Sequence, residues 1–363
     1  MKIVIVIVLV LAGVGMYFNK SQIADEKLVE QKQEEILPIK VIAEGLDTPW
    51  GIVILPDGGM LVTERMGRVR LVNKEGKLQT EPVAVLEKVE EIGEGGLLGI
   101  ALHPNFLENN LVYLYYTYRG NGGKILNRVM KMVYRDGILS NEQIVLDEIP
   151  GSKNHNGGRI KFDPDGNLYV TTGDAETPIL AQDKNSLAGK ILRVSDSGET
   201  TVYSYGHRNP QGLAWDDKGL LWSVEHGPSG GRLGTGNDEI NIIKIGANYG
   251  WPEIQGDQIK VNMETPVLNS TPKVAWAPAG VAYFNGSLYF AGLRGNALYE
   301  YKIEENKLIE HFKSKYGRLR EVVLGTDNYL YVTTSNRDGR GKPESTDDRI
   351  IRIDLKIFNK FLL

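Results

Sequence analysis

One unit recurs six times along this chain, and it limits the folds available. A short apolar strand runs into a turn of Pro, Asp, Asn or Gly and returns as a second apolar or aromatic strand. The copies read GIVILPDGGMLVTER from Gly51, LGIALHPNFLENNLVYLYYTY from Leu98 and GRIKFDPDGNLYVTTGD from Gly158. They continue as QGLAWDDKGLLWSVEHG from Gln211, AGVAYFNGSLYFAGL from Ala279 and REVVLGTDNYLYVTTSNRDG from Arg320. Alternation with this turn chemistry specifies a β-hairpin. The copies start roughly 40–68 residues apart, close to the period of propeller blades. Further strand pairs lie between them, such as GRVRLVNKEGKL from Gly67, KILRVSDSGE from Lys190 and ALYEYKIEENKL from Ala297. These supply the outer strands of a blade. No sustained helical period follows residue 40. The expected fold is all-β, a six-bladed β-propeller of four-stranded antiparallel blades over residues 38–357. A large β-sandwich would explain the alternation but not the repeated turn.

The length of 363 residues suits one large all-β domain, and 42 glycines suit its many turns. A net charge of −4 gives no strong attraction to nucleic acid or an anionic membrane. Cysteine is absent, which fits a reduced compartment or a secreted protein without disulfides. The N-terminus decides between these. After Lys2, residues Ile3 to Gly15 are almost wholly apolar, the length of a signal-peptide core and short for a spanning helix. No clean Ala-x-Ala cleavage site follows. Residues 1–20 therefore read as a signal peptide or an N-terminal membrane anchor, and 21–37 as a polar tether. The expected location is secreted, periplasmic or extracellular, with anchoring as the alternative.

In a propeller, loops entering the inner strands meet at one end of a central channel, where function is usually sited. Here those loops are polar. Glu94 precedes the second copy. His155, Asn156 and Arg159 open the third, and Asp174 follows its second strand. His207, Arg208 and Asn209 precede the fourth, and Glu225, His226, Asp238 and Glu239 follow it. Trp276 and Arg294 flank the fifth, and Arg318 and Arg320 enter the sixth. A ring of Arg suits an anionic ligand, because guanidinium forks match carboxylates. His155 and Asp174 have the chemistry of a base and its orienter, or of a loop His that stabilises its turn. His155, His207 and His226 form a rival three-His metal set, although they share no ligand spacing. Carbonyls around Gly227 and Pro228, with Glu239, offer hard oxygen ligands for Ca²⁺.

The segments GHRNPQGLAW, NDEINIIKIGANYGWP, EGGLLGIALHPNF and NHNGGRIKFDPDGNLYVTTGD together resemble the soluble pyrroloquinoline-quinone (PQQ) dependent sugar dehydrogenases, in particular the aldose sugar dehydrogenases. The resemblance spans about residues 40 to 355 and implies a six-bladed propeller. It also implies oxidation of the anomeric hydroxyl of aldose sugars to the lactone, with hydride transfer to PQQ. His155 matches the general base, Asp174 its orienting carboxylate, and Arg208 a cation near the reacting carbonyl. Asn209, Arg318 and Arg320 match cofactor contacts. Gly227 and Pro228 match backbone ligands of the Ca²⁺ that polarises PQQ, and Glu239 and Tyr249 a structural Ca²⁺ site. Glu94 stands where the glucose-oxidising branch has Gln. Arg294 stands where that branch has a Lys-Arg pair. Trp276 is the candidate ring for stacking on PQQ, and SGGRLGTG is longer than its counterpart. The implied partners are an aldose sugar and an electron acceptor that the resemblance does not name, in a monomer or homodimer. A non-enzymatic binding propeller and a Ca²⁺-dependent lactonase-like hydrolase are the alternatives.

Overall fold

The computed structural model describes residues 37–228 and 236–359. The signal or anchor segment, the tether before Leu37 and most of the SGGRLGTG loop lie outside the described residues. The first strand, β1 (Ile39–Ala43), precedes the first hairpin unit. The first blade is β2 (Pro49–Ile54), β3 (Met60–Glu64), β4 (Arg68–Val72) and β5 (Ala84–Val85). The second is β6 (Leu97–Leu102), β7 (Leu111–Arg119), β8 (Ile125–Arg135) and β9 (Ile138–Pro150). The third is β10 (Ile160–Phe162), β11 (Leu168–Thr172), β12 (Lys190–Val194) and β13 (Thr200–Tyr205). The fourth is β14 (Pro210–Trp215), β15 (Leu221–Glu225), β16 (Glu239–Ile243) and β17 (Leu268–Asn269). The fifth is β18 (Pro278–Phe284), β19 (Ser287–Gly292), β20 (Ala297–Lys302) and β21 (Lys307–His311). The sixth is β22 (Leu319–Leu324), β23 (Tyr329–Thr334) and β24 (Ile350–Asp354), completed by β1. The fold is the expected six-bladed propeller.

Two details depart from the sequence reading. The sixth blade takes its outer strand from the N-terminus, with Ile39 opposite Ile353, so the ring closes by joining the two ends of the domain. In the first blade, Leu78 makes only an isolated bridge to Val72, and the outer strand forms later, at Ala84–Val85. Arg70 explains the delay. Its Nη2 takes the carbonyls of Gln79 and Thr80 at 2.7 and 3.3 Å, so these do not join the ladder.

The same local device recurs on the inner strands. Their register shifts near the start in the first, second, fourth, fifth and sixth blades. Such bulges leave backbone groups without a ladder partner. Buried Thr hydroxyls on the second strands accept two of these, Gly51 N–H on Thr63 and Glu321 N–H on Thr333, both at 3.0 Å, and in the unbulged third blade Thr171 likewise accepts the Arg159 N–H at 2.9 Å. Inner strands of successive blades also pack backbone to backbone. A Cβ at Gly99 would lie 2.2 Å from the Gly158 carbonyl, and one at Gly212 would lie 2.4 Å from that of Ala279. Apolar side chains fill the space between blades, as where Leu61, Val69, Leu97, Leu114 and Met130 pack together. This tight ring holds the loops at the starts of the inner strands, where the polar residues converge. Among the described residues, no helix is long and apolar enough to cross a membrane.

Candidate active site

The third-blade loop holds His155 in a left-handed conformation, φ 57°. Its carbonyl leaves no room for a Cβ at Gly173, which would sit 1.8 Å away. His155 Nδ1 lies 2.7 Å from Asp174 Oδ1. An ionised carboxylate only accepts, so Nδ1 carries the proton and Nε2 the lone pair. Nε2 accepts from Arg208 Nη2 at 2.9 Å. The Asp174 side chain is fully buried. Its Oδ2 accepts from the indole of Trp251 at 2.8 Å, and Oδ1 also accepts the Glu176 N–H at 2.9 Å. Three donors therefore fix this carboxylate, and it fixes the imidazole.

Arg208 is buried and lies 5.4 Å from the Trp251 ring. Burial draws its guanidinium below the ordinary value, opposed by Asp174, Glu94, Asp238 and Glu225. Its backbone N–H donates to Glu225 at 3.0 Å. Glu94 comes from the second blade. Its Oε1 accepts from Arg340 at 2.9 Å, and its Oε2 accepts the His155 N–H at 3.4 Å. Burial pushes the Glu94 carboxyl up, but His226, Arg340 and His155 outweigh it and hold the group below the usual range.

A cavity of about 600 Å³ opens over these groups. Glu94, His155 and Arg208 line it together with His226, Arg318 and Arg320, and Arg294 and Arg340 stand at its wall. The ring of cations read from the sequence is thus assembled, but its members differ. Arg318 is committed to Asp338, at 2.7 and 2.9 Å, and to the Leu293 carbonyl at 3.1 Å. Arg320 is held loosely, by Gln211 at 3.2 Å and Ser335 at 3.5 Å, and burial draws it down to about 10. Arg294 is exposed. Burial brings His226 down to about 3, and its Nε2 is buried without a partner.

Two sequence assignments change, and the rival three-His reading is not met. Trp276 packs in the apolar core against Phe290 and Tyr299, at 5.7 and 5.8 Å, and does not line the cavity. Its position before a bulged strand turns the ring into the blade and leaves Ala277 at the cavity. The three-His set does not converge. His207 is fully buried, bonded through Nε2 to Ser204 and Nδ1 to Glu225, and stacked 4.6 Å from Tyr249. Among the described residues, no group of three or more His, Cys, Asp or Glu could hold a metal ion. Asn209 lies behind the cavity wall. Its Oδ1 accepts the Gly157 N–H at 2.9 Å and braces the His155 loop, while its Nδ2 is buried without a partner.

Gly227 and Pro228 line a small space with Glu225, Glu239 and Tyr249. A Cβ at Gly227 would meet the Gly236 and Asn237 carbonyls at 2.3 and 2.2 Å. Burial first, then the neighbouring Glu225, raise the Glu239 carboxyl to about 8. Crowded carbonyls with the buried Glu225 and the half-buried Glu239 are oxygen donors of the kind a hard cation takes. The Tyr249 hydroxyl is occupied by the Ile242 carbonyl and the Lys244 N–H.

Trp251 and Arg340 were not singled out from the sequence. Trp251 lies in the quoted NYGWP segment. Arg340 lies six residues beyond the second strand of its copy, where Asp174 lies two beyond its own, so the repeat does not single it out.

A family model described as Glucose / Sorbosone dehydrogenase matches residues 46–343. The chain is 32% identical to the aldose sugar dehydrogenase YliI of Escherichia coli, over 83% of this chain and 91% of that one. It is similar to the solved PQQ-bound aldose sugar dehydrogenase of Streptomyces coelicolor, with TM-score 0.79 and 39% identity over 86% of this chain and 97% of that one. An oxidoreductase (glucose dehydrogenase) from Thermus gives TM-score 0.80 and 45% identity over 86% and 98%. The chain belongs to the glucose/sorbosone dehydrogenase family, the family of soluble aldose sugar dehydrogenases and PQQ glucose dehydrogenases.

Proposed function

We propose that this protein oxidises the anomeric hydroxyl of aldose sugars to the lactone, with PQQ and Ca²⁺ as cofactors. The observation that carries this reading is His155. Its Nδ1 is fixed by Asp174 at 2.7 Å, while its Nε2 faces a cavity lined by arginines. A tricarboxylic quinone fits that lining, and the unpartnered Nε2 of His226, a lining residue, still lacks a hydrogen-bond partner. Arg208, Arg318, Arg320 and Arg294 are the cationic residues that would hold it, with Glu94 and Asn209 bracing the wall. Carbonyls of Gly227 and Pro228 would hold Ca²⁺ against it, and Glu239 and Tyr249 a structural Ca²⁺. When bound, PQQ supplies an acceptor for the hydride leaving the anomeric carbon.

The chain's own residues handle the proton. His155 accepts it from the sugar hydroxyl at Nε2, where Arg208 Nη2 now donates. Asp174 stabilises the imidazolium through Nδ1 and prevents the ring from turning. The first 20 residues, as an export signal or anchor, would place this chemistry outside the cytoplasm, and cell fractionation tests that. The main test is apo-protein supplied with PQQ, Ca²⁺, an aldose and a dye acceptor. Dye reduction is expected. No reduction with any of several aldoses refutes the activity. Lactone opening without quinone would instead identify a hydrolase, and absence of thermal stabilisation by PQQ a binding propeller.

A further inference from the structure

The inner strands of all six blades end at a second cavity of about 470 Å³, away from the loops that carry His155. Ile52–Ile54, Ile100–Leu102, Leu213, Trp215, Val281–Tyr283 and Val322–Leu324 make its wall predominantly apolar. Its size lies within the range of small-molecule sites. Three charged side chains also line it: Arg159, Lys161 and Glu321.

Their charges do not balance. Arg159 Nη1 donates to Glu321 Oε2, and these two neutralise each other. Arg159 Nη2 is left buried with no partner, although the residue is only 6% exposed. The one hydrogen bond of Lys161 Nζ is a long one, 3.3 Å to the Leu213 carbonyl. Arg159 and Lys161 against Glu321 leave one cation in excess under an apolar wall. A half-buried cation with so little compensation favours an anion. Burial draws the Lys161 ammonium down to about 8, with Glu321 opposing and Arg159 assisting.

We propose that this cavity is a second ligand site, separate from the sugar site, that takes an amphiphilic carboxylate. The carboxylate pairs with Lys161 Nζ, and its hydrocarbon body covers the apolar wall. The two cavities are separated by a plug. Arg159 donates to the Gln211 carbonyl at 2.8 Å, Arg320 donates to Gln211 Oε1 at 3.2 Å, and both guanidinium groups lie over the Trp50 ring, at 4.4 and 5.6 Å. Arg159 thus belongs to the plug as well as to the second site.

Calorimetric titration of the apo-protein tests this with three probes: octanoate, octanol and acetate. Octanoate is expected to bind once per chain, at least tenfold more tightly than octanol, which lacks the charge, or acetate, which lacks the body. Lys161→Met is expected to weaken octanoate at least tenfold while leaving octanol unchanged. Leu102→Trp, which fills the cavity and keeps every charge, is expected to abolish octanoate binding. Equal affinities for octanoate and octanol in the unaltered protein would overturn the proposal, whatever the variants do. So would displacement of octanoate by PQQ, which would assign it to the arginine-lined cavity.

Discussion

Replacing Asp174 by Asn isolates the anion from its shape. In the structure this carboxylate receives His155 Nδ1, Trp251 Nε1 and the Glu176 N–H, and its side chain is fully buried. An amide has one acceptor oxygen and one NH₂ in place of two acceptors. If the oxygen stays with Trp251, the NH₂ faces His155 and draws the ring proton to Nε2. The lone pair then points away from the cavity, and the base is lost. If the oxygen stays with His155, the tautomer survives but the charge does not. A hydrogen bond to a charged group contributes about 1.5–3 kcal/mol, which is roughly 10- to 150-fold in rate. Loss of the tautomer brings the full general-base contribution, about 10²–10⁴-fold. The expected kcat of Asp174→Asn is therefore at least tenfold below that of the unaltered enzyme, towards 10⁴-fold if the ring flips. PQQ affinity should change little, because Asp174 does not line the cavity. The assay is dye reduction with the PQQ- and Ca²⁺-loaded protein under saturating sugar, alongside a PQQ titration. A kcat within twofold of the unaltered enzyme would refute the role of Asp174 as orienter.

Other perturbations test the scaffold. Glu94 titrates below its unfolded value of 4.5, so its ionised form adds stability that is present above 4.5 and lost as the pH falls through the lower folded value. Glu94→Gln should flatten the loss of stability on the acid side, and urea melts between pH 3 and 6 that match the unaltered protein would contradict this. Lys190 is fully buried, and its ammonium donates to the Leu180, Ala181 and Ala188 carbonyls at 2.6–3.1 Å. Lys190→Met leaves the Ala188 carbonyl without a donor, while those of Leu180 and Ala181 keep the Asp183 and Gly206 N–H groups, and should destabilise by about 1–3 kcal/mol, read as a lower urea midpoint. Gly99→Ala drives a methyl into the Gly158 carbonyl between two inner strands. A loss of about 1–3 kcal/mol is expected from overpacking, and an unchanged Tm would show that the ring can widen.

Contacts carried by one hairpin were legible in the sequence. Asp174 follows the second strand of the unit that His155 opens, and the turn Asp163–Asn167 brings the two together. Blade count and inner strands were legible for the same reason, since each unit is local and repeated. Side-chain direction was not. Trp276 and Asn209 sit beside cavity residues in sequence, yet one turns into the core and the other behind the wall.

The alternation of apolar residues with turn residues is a local property, and it determined by itself that this chain forms six hairpin-built blades and that His155 meets Asp174. Closure of the ring is not local. It alone put β1 beside β24, Arg208 on His155 across 53 residues and Arg340 on Glu94 across 246. It also left Lys161 with excess charge beneath an apolar cavity to which all six blades contribute. No strand encodes such contacts, because they exist only once the blades pack around a common axis.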